Sequence, residues 1–409
     1  MDFEFSQDEI LFRKSVSEFA ERYIEPRWVE IDDKGVIPRD LIAKMGEYGL
    51  LTIPISEEYG GLGESFMKTV LAIEELAYHD PAVAIAVYVL LNNGWPYLIN
   101  LYASHDVKSE VLPRVSKGRY FFGIASTESH GGSDVAGIKT YARRDDGQWY
   151  ITGEKIYISG VREVLEQLDG GGWFLVAKSG SLDYGHKNIT TFAFIPRRDG
   201  KLLGEVEWSI FEEIGRGGLS TGTFKIEDFP VEDKFRVGDE GKGFYLLMEG
   251  FNIARVLVAA ACIGSARWAL EEGVEWIKNR KLFNGRRLSS FQGIYMRFSE
   301  LYTELESARL FTYRAAWMID KIYRDRDPNY NPKDLNIPVA LAKYKAPEVA
   351  SRIYEEVMKW LGAYSYMKES KVYRGWLGIL SYLVGAEGGQ NIMKIIIARD
   401  YIGRDYIRG

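Results

Sequence analysis

The sequence predicts an α+β fold in three consecutive parts: an N-terminal helical domain (residues 1–119), a middle β-domain (residues 120–235) and a C-terminal helical bundle (residues 236–409). A change in apolar periodicity carries this prediction. Apolar residues recur at helical spacing in the first and last parts, whereas the middle part has short β-rich runs between turn residues. Chains built this way leave clefts between their parts, where ligand sites commonly form.

The first part is predicted to be all-α. Ser6 and Glu9 have the spacing of a capping box, which marks the start of a helix. Apolar residues then follow at helical spacing until Pro26: Phe12, Val16, Phe19 and Tyr23. The same pattern recurs in residues 40–50, 65–79 and 83–91. We therefore expect four or more helices before residue 119.

The second part is predicted to be a β-domain. Asp145-Asp146-Gly147 separates residues 140–144 from residues 148–152, which is a strong hairpin signal. Further β-rich runs are residues 173–177, 190–195 and 223–226. Gly215-Arg216-Gly217 lacks the third glycine of a dinucleotide-binding motif and precedes another strand, so we expect no Rossmann site.

The third part is predicted to be a bundle of long helices. From Leu301 to Ile322 the apolar residues alternate steps of four and three, which is the pattern of a bundle seam. Residues 327–332 contain two prolines and two asparagines, and are expected to form an interhelical loop.

Composition excludes several classes of function. The net charge of −6 gives no reason to expect nucleic acid or an anionic membrane as partner. No run of 18 apolar residues and no secretory leader are present, so we expect no membrane span and a cytoplasmic location. The single cysteine, Cys262, excludes an internal disulfide, and its apolar neighbours predict burial. The four histidines are not paired at metal-ligand spacing, so no metal site is predicted.

One candidate catalytic residue stands near the C-terminus. Glu387 directly precedes Gly388 and Gly389 at the start of a helical segment. Glycine lets a backbone approach a ligand closely, and the N–H groups of a first helical turn face outward. A carboxylate beside such donors can remove a proton next to a carbonyl whose oxygen they stabilise. On these residues alone, a solvated loop glutamate remains the alternative.

Five motifs in order give the chain a resemblance to a known family. They are Glu57-Glu58-Tyr59-Gly60-Gly61-Leu62-Gly63, the segment from Thr127 to Thr140, Gly241-Lys242-Gly243-Phe244, Arg280-Lys281-Leu282-Phe283 with Phe291-Gln292, and Glu387-Gly388. Over essentially its whole length the chain resembles acyl-CoA dehydrogenases. This resemblance implies a C-terminal four-helix bundle, non-covalent FAD, an acyl-CoA substrate, an electron-transfer flavoprotein as electron acceptor, and a homotetramer or dimer.

The resemblance also implies a reaction, the α,β-dehydrogenation of an acyl-CoA thioester to a trans-2-enoyl-CoA. Glu387 would take the α-proton, its backbone N–H and a flavin hydroxyl would hold the thioester oxygen, and the β-hydride would pass to flavin N5. Some family members place the base at a position that matches Ala254 here, and alanine cannot accept a proton. A flavin oxidase or monooxygenase on the same fold, and a non-catalytic paralogue, remain alternatives.

Site residues are carried over position by position. The implied cofactor contacts are Ile124, Ser126, Thr127, Gly132, Ser133, Tyr157, Ser159, Arg280, Phe283, Phe291, Gln292, Lys359, Gly362, Ala363, Gly389 and Asn391. The implied substrate contacts are Ser133, Asn252, Arg255, Glu387 and Gly388. Tyr157 and Ser159 stand where the family usually has Trp and Thr, and Arg280 matches an arginine that reaches the FAD pyrophosphate of a neighbouring subunit.

Several positions depart from the family pattern. Residues 359–365 keep one of the three glycines that cradle the FAD adenosine, so we expect weaker FAD retention. Residues 163–172 are predicted to add a longer loop to the β-domain. Residues 82–91, which match the helix lining the acyl pocket, contain no cation, so the pocket should prefer an uncharged acyl group. The bulk of Tyr88 and Trp95 favours short or medium chains, unless this stretch is simply buried helix.

Overall fold

The computed structural model describes residues 4–180, 183 and 185–407. Its N-terminal part is helical, as predicted. The helices are α1 (Gln7–Tyr23), α2 (Trp28–Lys34), α3 (Arg39–Glu47), α4 (Phe66–His79), α5 (Ala84–Tyr102) and α6 (His105–Ser116). The predicted capping box of α1 is confirmed: Glu9 N donates to Ser6 Oγ (3.2 Å) and Ser6 N donates to the Glu9 carboxylate (2.8 Å).

Helix α5 is longer than the predicted segment and runs through Pro96. Its residues are buried from Ala84 to Ile99, so an almost uniformly apolar sequence gave no period from which to find its end. Two buried asparagines fix it in place. Asn93 Nδ2 donates to Leu50 O (2.8 Å), and Asn92 Oδ1 accepts from Phe122 N (2.9 Å). Tertiary bonds of this kind hold α5 against the β-domain.

The middle part is one nine-stranded sheet. Its strands are β1 (Tyr120–Ala125), β2 (Tyr141–Asp145), β3 (Gln148–Ser159), β4 (Gly170–Ser179), β5 (Ile189–Arg198), β6 (Lys201–Leu202), β7 (Glu207–Ile210), β8 (Thr221–Glu232) and β9 (Arg236–Val237). The order is β6-β5-β4-β2-β3-β8-β7, with β1 parallel to β4 and β9 beside β5. The predicted hairpin is confirmed, with Asp145 opposite Gln148.

The prediction of a longer loop at residues 163–172 was wrong. Glu163–Gln167 form a π-helical turn, and β4 already begins at Gly170. Glu163 is fully buried, and its carboxylate accepts hydrogen bonds from the N–H and the hydroxyl of Ser220. The polar composition of this stretch suggested a solvated loop, whereas the two donors of Ser220, directly before β8, make burial of the glutamate possible.

The C-terminal part is the predicted helical bundle. It contains α7 (Gly243–Asn279), a hairpin of β10 (Lys281–Leu282) and β11 (Arg286–Arg287), α8 (Gln292–Ile319), α9 (Asn336–Leu361), α10 (Val372–Val384) and α11 (Gln390–Ile402). Helix α9 packs against α7, α8, α10 and α11. The predicted seam on α8 is buried from Leu301 to Ile319. A π-helical turn, Asp320–Arg324, follows α8, and residues 327–332 lie in the connection from this turn to α9.

Helix α7 also packs against α4 and α5, which joins the bundle to the N-terminal part. It is the one described helix that is long and apolar enough to cross a bilayer by length and composition, although 83% of that apolar window is buried inside the protein. The core of the molecule therefore lies where α7 meets α4, α5 and α9.

Candidate active site

Glu387 lies in the connection between α10 and α11, in a backbone conformation that is unusual for its residue type. Its φ is +60°, and that of Gly388 is +101°. A non-glycine residue in the left-handed region costs about 1–2 kcal/mol. The N–H groups of both residues donate to no other described residue. Their carbonyl oxygens are held instead, by Arg255 Nε at 2.8 Å from Glu387 O and by Lys343 Nζ at 3.2 Å from Gly388 O.

One oxygen of the Glu387 carboxylate is buried and has no hydrogen-bond donor among the described residues. Although the residue as a whole keeps some exposure, its Oε2 atom is buried without a hydrogen-bond partner. Burial raises the pKa of Glu387 to about 7, against the opposing charges of Arg255 and Lys343. A solvated loop glutamate does not describe this residue. Its pKa lies where a general base works best at neutral pH.

A second buried polar group lies close to this carboxylate. Trp95, fully buried on α5, has an Nε1 without a hydrogen-bond partner, yet it lies near enough to Glu387 to oppose the rise in the Glu387 pKa. Ala254 is also fully buried and offers no proton acceptor. The structure therefore brings an unpartnered donor on α5 close to an unpartnered acceptor in the α10–α11 connection.

Arg255 and Asn252, predicted as substrate contacts, lie beside Glu387. The Arg255 guanidinium donates to Glu387 O and to Asn252 Oδ1 (3.2 Å), while Asn252 Nδ2 donates to Asn336 Oδ1 (3.0 Å). Burial lowers the pKa of Arg255 to about 10, opposed by the Glu387 charge. In this structure Arg255 supports the loop that carries Glu387, through its carbonyl.

The cofactor contacts predicted in the β-domain lie together. Ile156 N donates to Thr127 O (3.0 Å), which sets the loop after Ile124 and Ser126 beside the end of β3. A bulge between Ile156 and Ile158 gives Tyr157 a φ of +59° and leaves its side chain 69% exposed. Ser159 follows two residues on. A large aromatic face left in solvent costs free energy, and it suits a planar ring system such as a flavin.

The Thr127 to Ser133 loop also fits a bound cofactor. Its Glu128 is buried and accepts from Lys155 Nζ (2.7 Å) and Thr140 Oγ1 (2.6 Å), so the loop is anchored from beneath. Gly132 and Ser133 are exposed, and a Cβ at Gly132 would lie 3.2 Å from the Thr127 side chain. An open backbone with nearby hydroxyl groups can approach the polar edge of a flavin closely.

The remaining cofactor contacts lie elsewhere on the surface. Arg280, Phe283, Phe291 and Gln292 surround the β10–β11 hairpin, where Phe283 is 76% exposed. Lys359, Gly362 and Ala363 follow the end of α9, and Gly389 and Asn391 lie at the start of α11. Among the described residues no hydrogen bond, ion pair or ring contact joins the β10–β11 group to the Ile124–Ser133 loop. The resemblance implies such a separation, because Arg280 would serve a neighbouring subunit.

The adenosine-side segment keeps an open backbone despite its lost glycines. Gly362 has a φ of +64°, and nothing lies within 4 Å of the place where its Cβ would stand. Lys359, however, forms an ion pair with Glu356 (3.2 Å). Backbone contacts to a cofactor thus remain available here, whereas the one cation of the segment, Lys359, already has a carboxylate partner at the surface.

Sequence reasoning missed Lys343 entirely. It is fully buried on α9, and its Nζ donates to Tyr382 O (2.7 Å) as well as to Gly388 O. One signal could have found it, because Lys343 falls on the apolar stripe formed by Val339, Ala342, Ala346 and Val349. The prediction that Cys262 is buried is confirmed, and burial raises the pKa of its thiol to about 12, against the charge of Lys343.

Comparisons with known proteins agree with this geometry. Family models for the N-terminal, middle and C-terminal domains of acyl-CoA dehydrogenases match residues 6–119, 123–229 and 241–402. The short-chain-specific acyl-CoA dehydrogenase of Clostridium acetobutylicum is 30% identical over 406 residues, which is 97% of this chain and 99% of that protein. A 3-(aryl)acrylate reductase of Clostridium sporogenes is 28% identical, over 97% of this chain and 99% of the other.

Among solved structures, butyryl-CoA dehydrogenase from Megasphaera elsdenii superposes with a TM-score of 0.87 at 25% identity. The match covers 98% of this chain and 100% of that one. The three-part fold and the enzyme class predicted from the sequence are confirmed. The chain therefore belongs to the acyl-CoA dehydrogenase family of FAD-dependent oxidoreductases.

Proposed function

We propose that the protein oxidises an acyl-CoA thioester to the trans-2-enoyl-CoA, with Glu387 as the base that takes the α-proton. One observation carries this proposal. Within the part of the chain that the structure describes, a buried carboxylate oxygen without a donor lies in the same short segment as two backbone N–H groups without acceptors. Such an arrangement offers a proton acceptor and donors for a developing oxyanion within one loop.

The surroundings of Glu387 suit this chemistry. With a pKa of about 7, a substantial fraction of the carboxyl groups is ionised at neutral pH and can still be protonated by the substrate. The Glu387 N–H would polarise the thioester carbonyl and make the α-proton more acidic. FAD, when bound, supplies the acceptor for the β-hydride. The role of the protein would be to orient the substrate so that its α-carbon faces Glu387.

An uncharged acyl group of short or medium length is the proposed substrate class. Residues 82–91 are buried and offer no cation. Arg216 is a buried cation, but its guanidinium is paired with Glu213 (3.0 Å) and donates to Thr221 Oγ1 (2.8 Å). An additional carboxylate on the substrate would be desolvated without a free partner. Tyr88 and Trp95 are fully buried, and their bulk would restrict the depth available to an acyl chain.

The proposal is tested by anaerobic reduction of the FAD-loaded protein with butyryl-, octanoyl-, palmitoyl- and glutaryl-CoA. We expect flavin bleaching to be fastest with butyryl- or octanoyl-CoA. No bleaching with any thioester would show a non-catalytic paralogue, and fastest bleaching with glutaryl-CoA would overturn the pocket assignment. A protein that purifies without colour and shows no tryptophan quenching on FAD titration would contradict the flavoenzyme proposal itself.

The direction of electron flow needs a separate test, because several similar proteins are named as reductases. We propose an electron-transfer flavoprotein as acceptor. The substrate-reduced protein should pass electrons to such a flavoprotein faster than it reacts with oxygen. Faster reaction with oxygen would indicate an oxidase, and reoxidation mainly by an enoyl-CoA would indicate a reductase.

We also propose a homotetramer, or at least a dimer, in which Arg280 completes the cofactor site of a neighbouring subunit. Arg280 and Phe283 are exposed on the single chain and lie apart from the Ile124–Ser133 loop. Sedimentation that finds a stable, fully active monomer would contradict this assembly. A cytoplasmic location, without a membrane or nucleic acid as partner, remains a prediction.

A further inference from the structure

We propose that Lys343 is a positioning residue for the base: from α9 it holds the turn that carries Glu387, and its positive charge favours the ionised form of the carboxylate. This inference rests on the proposed role of Glu387. Lys343 Nζ donates to backbone carbonyls and forms no ion pair with the Glu387 carboxylate, both of which lie among the described residues, so it acts through the backbone and through its charge.

The geometry of the turn supports this role. Lys343 Nζ donates to Tyr382 O in the last turn of α10 (2.7 Å) and to Gly388 O just before α11 (3.2 Å). One ammonium group therefore binds the chain on both sides of Glu387 and holds the two ends of this segment together. The carbonyl groups at a helix C-terminus lack intrahelical partners and attract cations, so Tyr382 O is a favourable site for a buried ammonium.

Two cations bind the backbone of the turn that contains Glu387 and Gly388. Arg255 on α7 binds the carbonyl of Glu387, and Lys343 on α9 binds the carbonyl of Gly388. Both carbonyls are drawn towards the bundle core, which leaves the N–H groups of these residues without acceptors. The positive φ of Glu387 is unfavourable for a free glutamate, so it persists only because such contacts over-determine it.

The charged and titratable groups around the base come from four helices. Glu387 faces Arg255 on α7, Lys343 on α9 and the indole of Trp95 on α5. Its negative charge also raises the pKa of the Tyr382 phenol on α10. Lys343 in turn faces Cys262, Arg255 and Glu387. Burial raises the pKa values of the thiol and the phenol, so both stay neutral near pH 7. Glu387 is thus the anion available to balance two buried cations.

Burial lowers the pKa of Lys343 to about 8, with Cys262 and Glu387 opposing this shift and Arg255 adding to it. The ammonium is therefore still largely protonated near pH 7, where Glu387 titrates. Removing a nearby cation raises the pKa of a carboxyl group, because the ionised form loses its attraction.

The decisive experiment compares Lys343→Met with Lys345→Met. Lys345 lies two residues further along α9 and pairs with Glu304 at the surface (3.4 Å), so it is the matched control. In Lys343→Met we expect the acid limb of the pH profile for flavin reduction to move up by about one unit, which is about a tenfold lower rate below that limb. Amide hydrogen exchange should also accelerate at Gly385 and Ile392, whose N–H groups flank the turn and donate to Ser381 O and Gly389 O. Lys345→Met should change neither quantity.

Two further variants separate charge from hydrogen bonding. Lys343→Arg keeps the charge and should restore the acid limb, whereas Lys343→Gln keeps a donor without charge and should protect the turn from exchange while the acid limb stays shifted. These variants also serve if Lys343→Met does not fold. An unshifted acid limb in Lys343→Gln, or equal shifts in Lys343→Arg and Lys343→Gln, would overturn the assignment.

One readout is independent of turnover. The Glu387 carboxyl can be titrated by infrared difference spectroscopy of the FAD-loaded protein without substrate, with Glu387→Gln as the blank. We expect its midpoint to rise in Lys343→Gln relative to the wild type. A rise would support Lys343 even if no acyl-CoA were oxidised, and an unchanged midpoint would refute it even if the proposed reaction were confirmed.

Discussion

Glu128 and Glu387 are both buried carboxylates, but their surroundings are opposite. The Glu128 carboxylate accepts from Lys155 Nζ (2.7 Å), Thr140 Oγ1 (2.6 Å) and the N–H groups of Lys139 and Thr140 (2.6 and 3.0 Å). The Glu387 Oε2 atom has no hydrogen-bond donor, and the cations near it bind backbone carbonyls instead.

The two pKa values follow from these partners. Burial raises the pKa of Glu128. The charge of Lys155 and the hydrogen bonds from Lys155, Thr140 and the Lys139 N–H outweigh burial and hold the pKa below its usual value. For Glu387, burial prevails and the pKa rises to about 7. Burial alone therefore does not make a carboxylate a base. A carboxylate whose oxygens accept several hydrogen bonds anchors the structure, whereas one that lacks donors can accept a proton.

The largest expected effect is the loss of flavin reduction when the Glu387 carboxylate is replaced. Glu387→Gln keeps the shape of the side chain but cannot accept the α-proton, so flavin reduction by acyl-CoA should fall by about 10²–10⁴-fold or more. Stopped-flow reduction under anaerobic conditions measures this, with the flavin spectrum and thermal unfolding as controls for folding. A variant that reduces its flavin at near the wild-type rate would show that another group is the base.

Glu128→Gln should affect stability rather than the chemical step. It leaves Lys155 buried without its counter-charge, which costs about 3–5 kcal/mol of unfolding free energy. Urea unfolding with excess FAD measures the loss. Glu128→Leu combined with Lys155→Met removes both charges and should recover much of the loss. If Glu128→Gln were as stable as the wild type, the ion pair would not anchor the loop.

The pH dependence of stability should have opposite signs at the two sites. The folded pKa of Glu387 is raised from 4.5 to about 7, so ionisation penalises the folded state increasingly as pH rises through this window. Glu387→Gln removes the penalty, so its stability relative to the wild type should grow by as much as about 3 kcal/mol between pH 4.5 and above pH 7.

For Glu128 the sign is reversed. Its folded pKa is lowered, so its contribution is present above the unfolded pKa and is lost as the pH falls through the folded value. The deficit of Glu128→Gln should therefore stay constant from pH 5 to 8 and shrink only in acid. Urea unfolding at a series of pH values tests both slopes, and parallel curves for the two variants would contradict the comparison.

The smallest effect is expected from removing one of the several donors to Glu128. Thr140→Val keeps the volume but deletes the hydroxyl that donates at 2.6 Å, which should cost about 1.5–3 kcal/mol because the acceptor is charged. Equilibrium unfolding gives the value. Thr152→Val on the neighbouring β3 is the control, because its exposed hydroxyl accepts from Asp228 N (2.8 Å) and does not donate to a charged group. Equal losses in the two variants would show that the carboxylate does not depend on this donor.

Local patterns predicted much of the fold because they reflect local physics. The capping box at Ser6, the turn at Asp146-Gly147 and the seam on α8 each need only near neighbours in sequence to take effect. Residues 163–172 failed for the opposite reason. The donor that permits burial of Glu163 is Ser220, more than fifty residues away, and no local pattern announces it.

The sequence by itself determined the class of the protein: its three-part order, the family motifs and the position of Glu387 before two glycines. Tertiary structure alone decided what that glutamate can do. Its buried oxygen, the unpartnered indole of Trp95 and the two cations that hold its carbonyls come from α5, α7 and α9, which are far apart in the chain. A carboxylate acquires its pKa from the dielectric and the charges around it, and packing between distant helices fixes both.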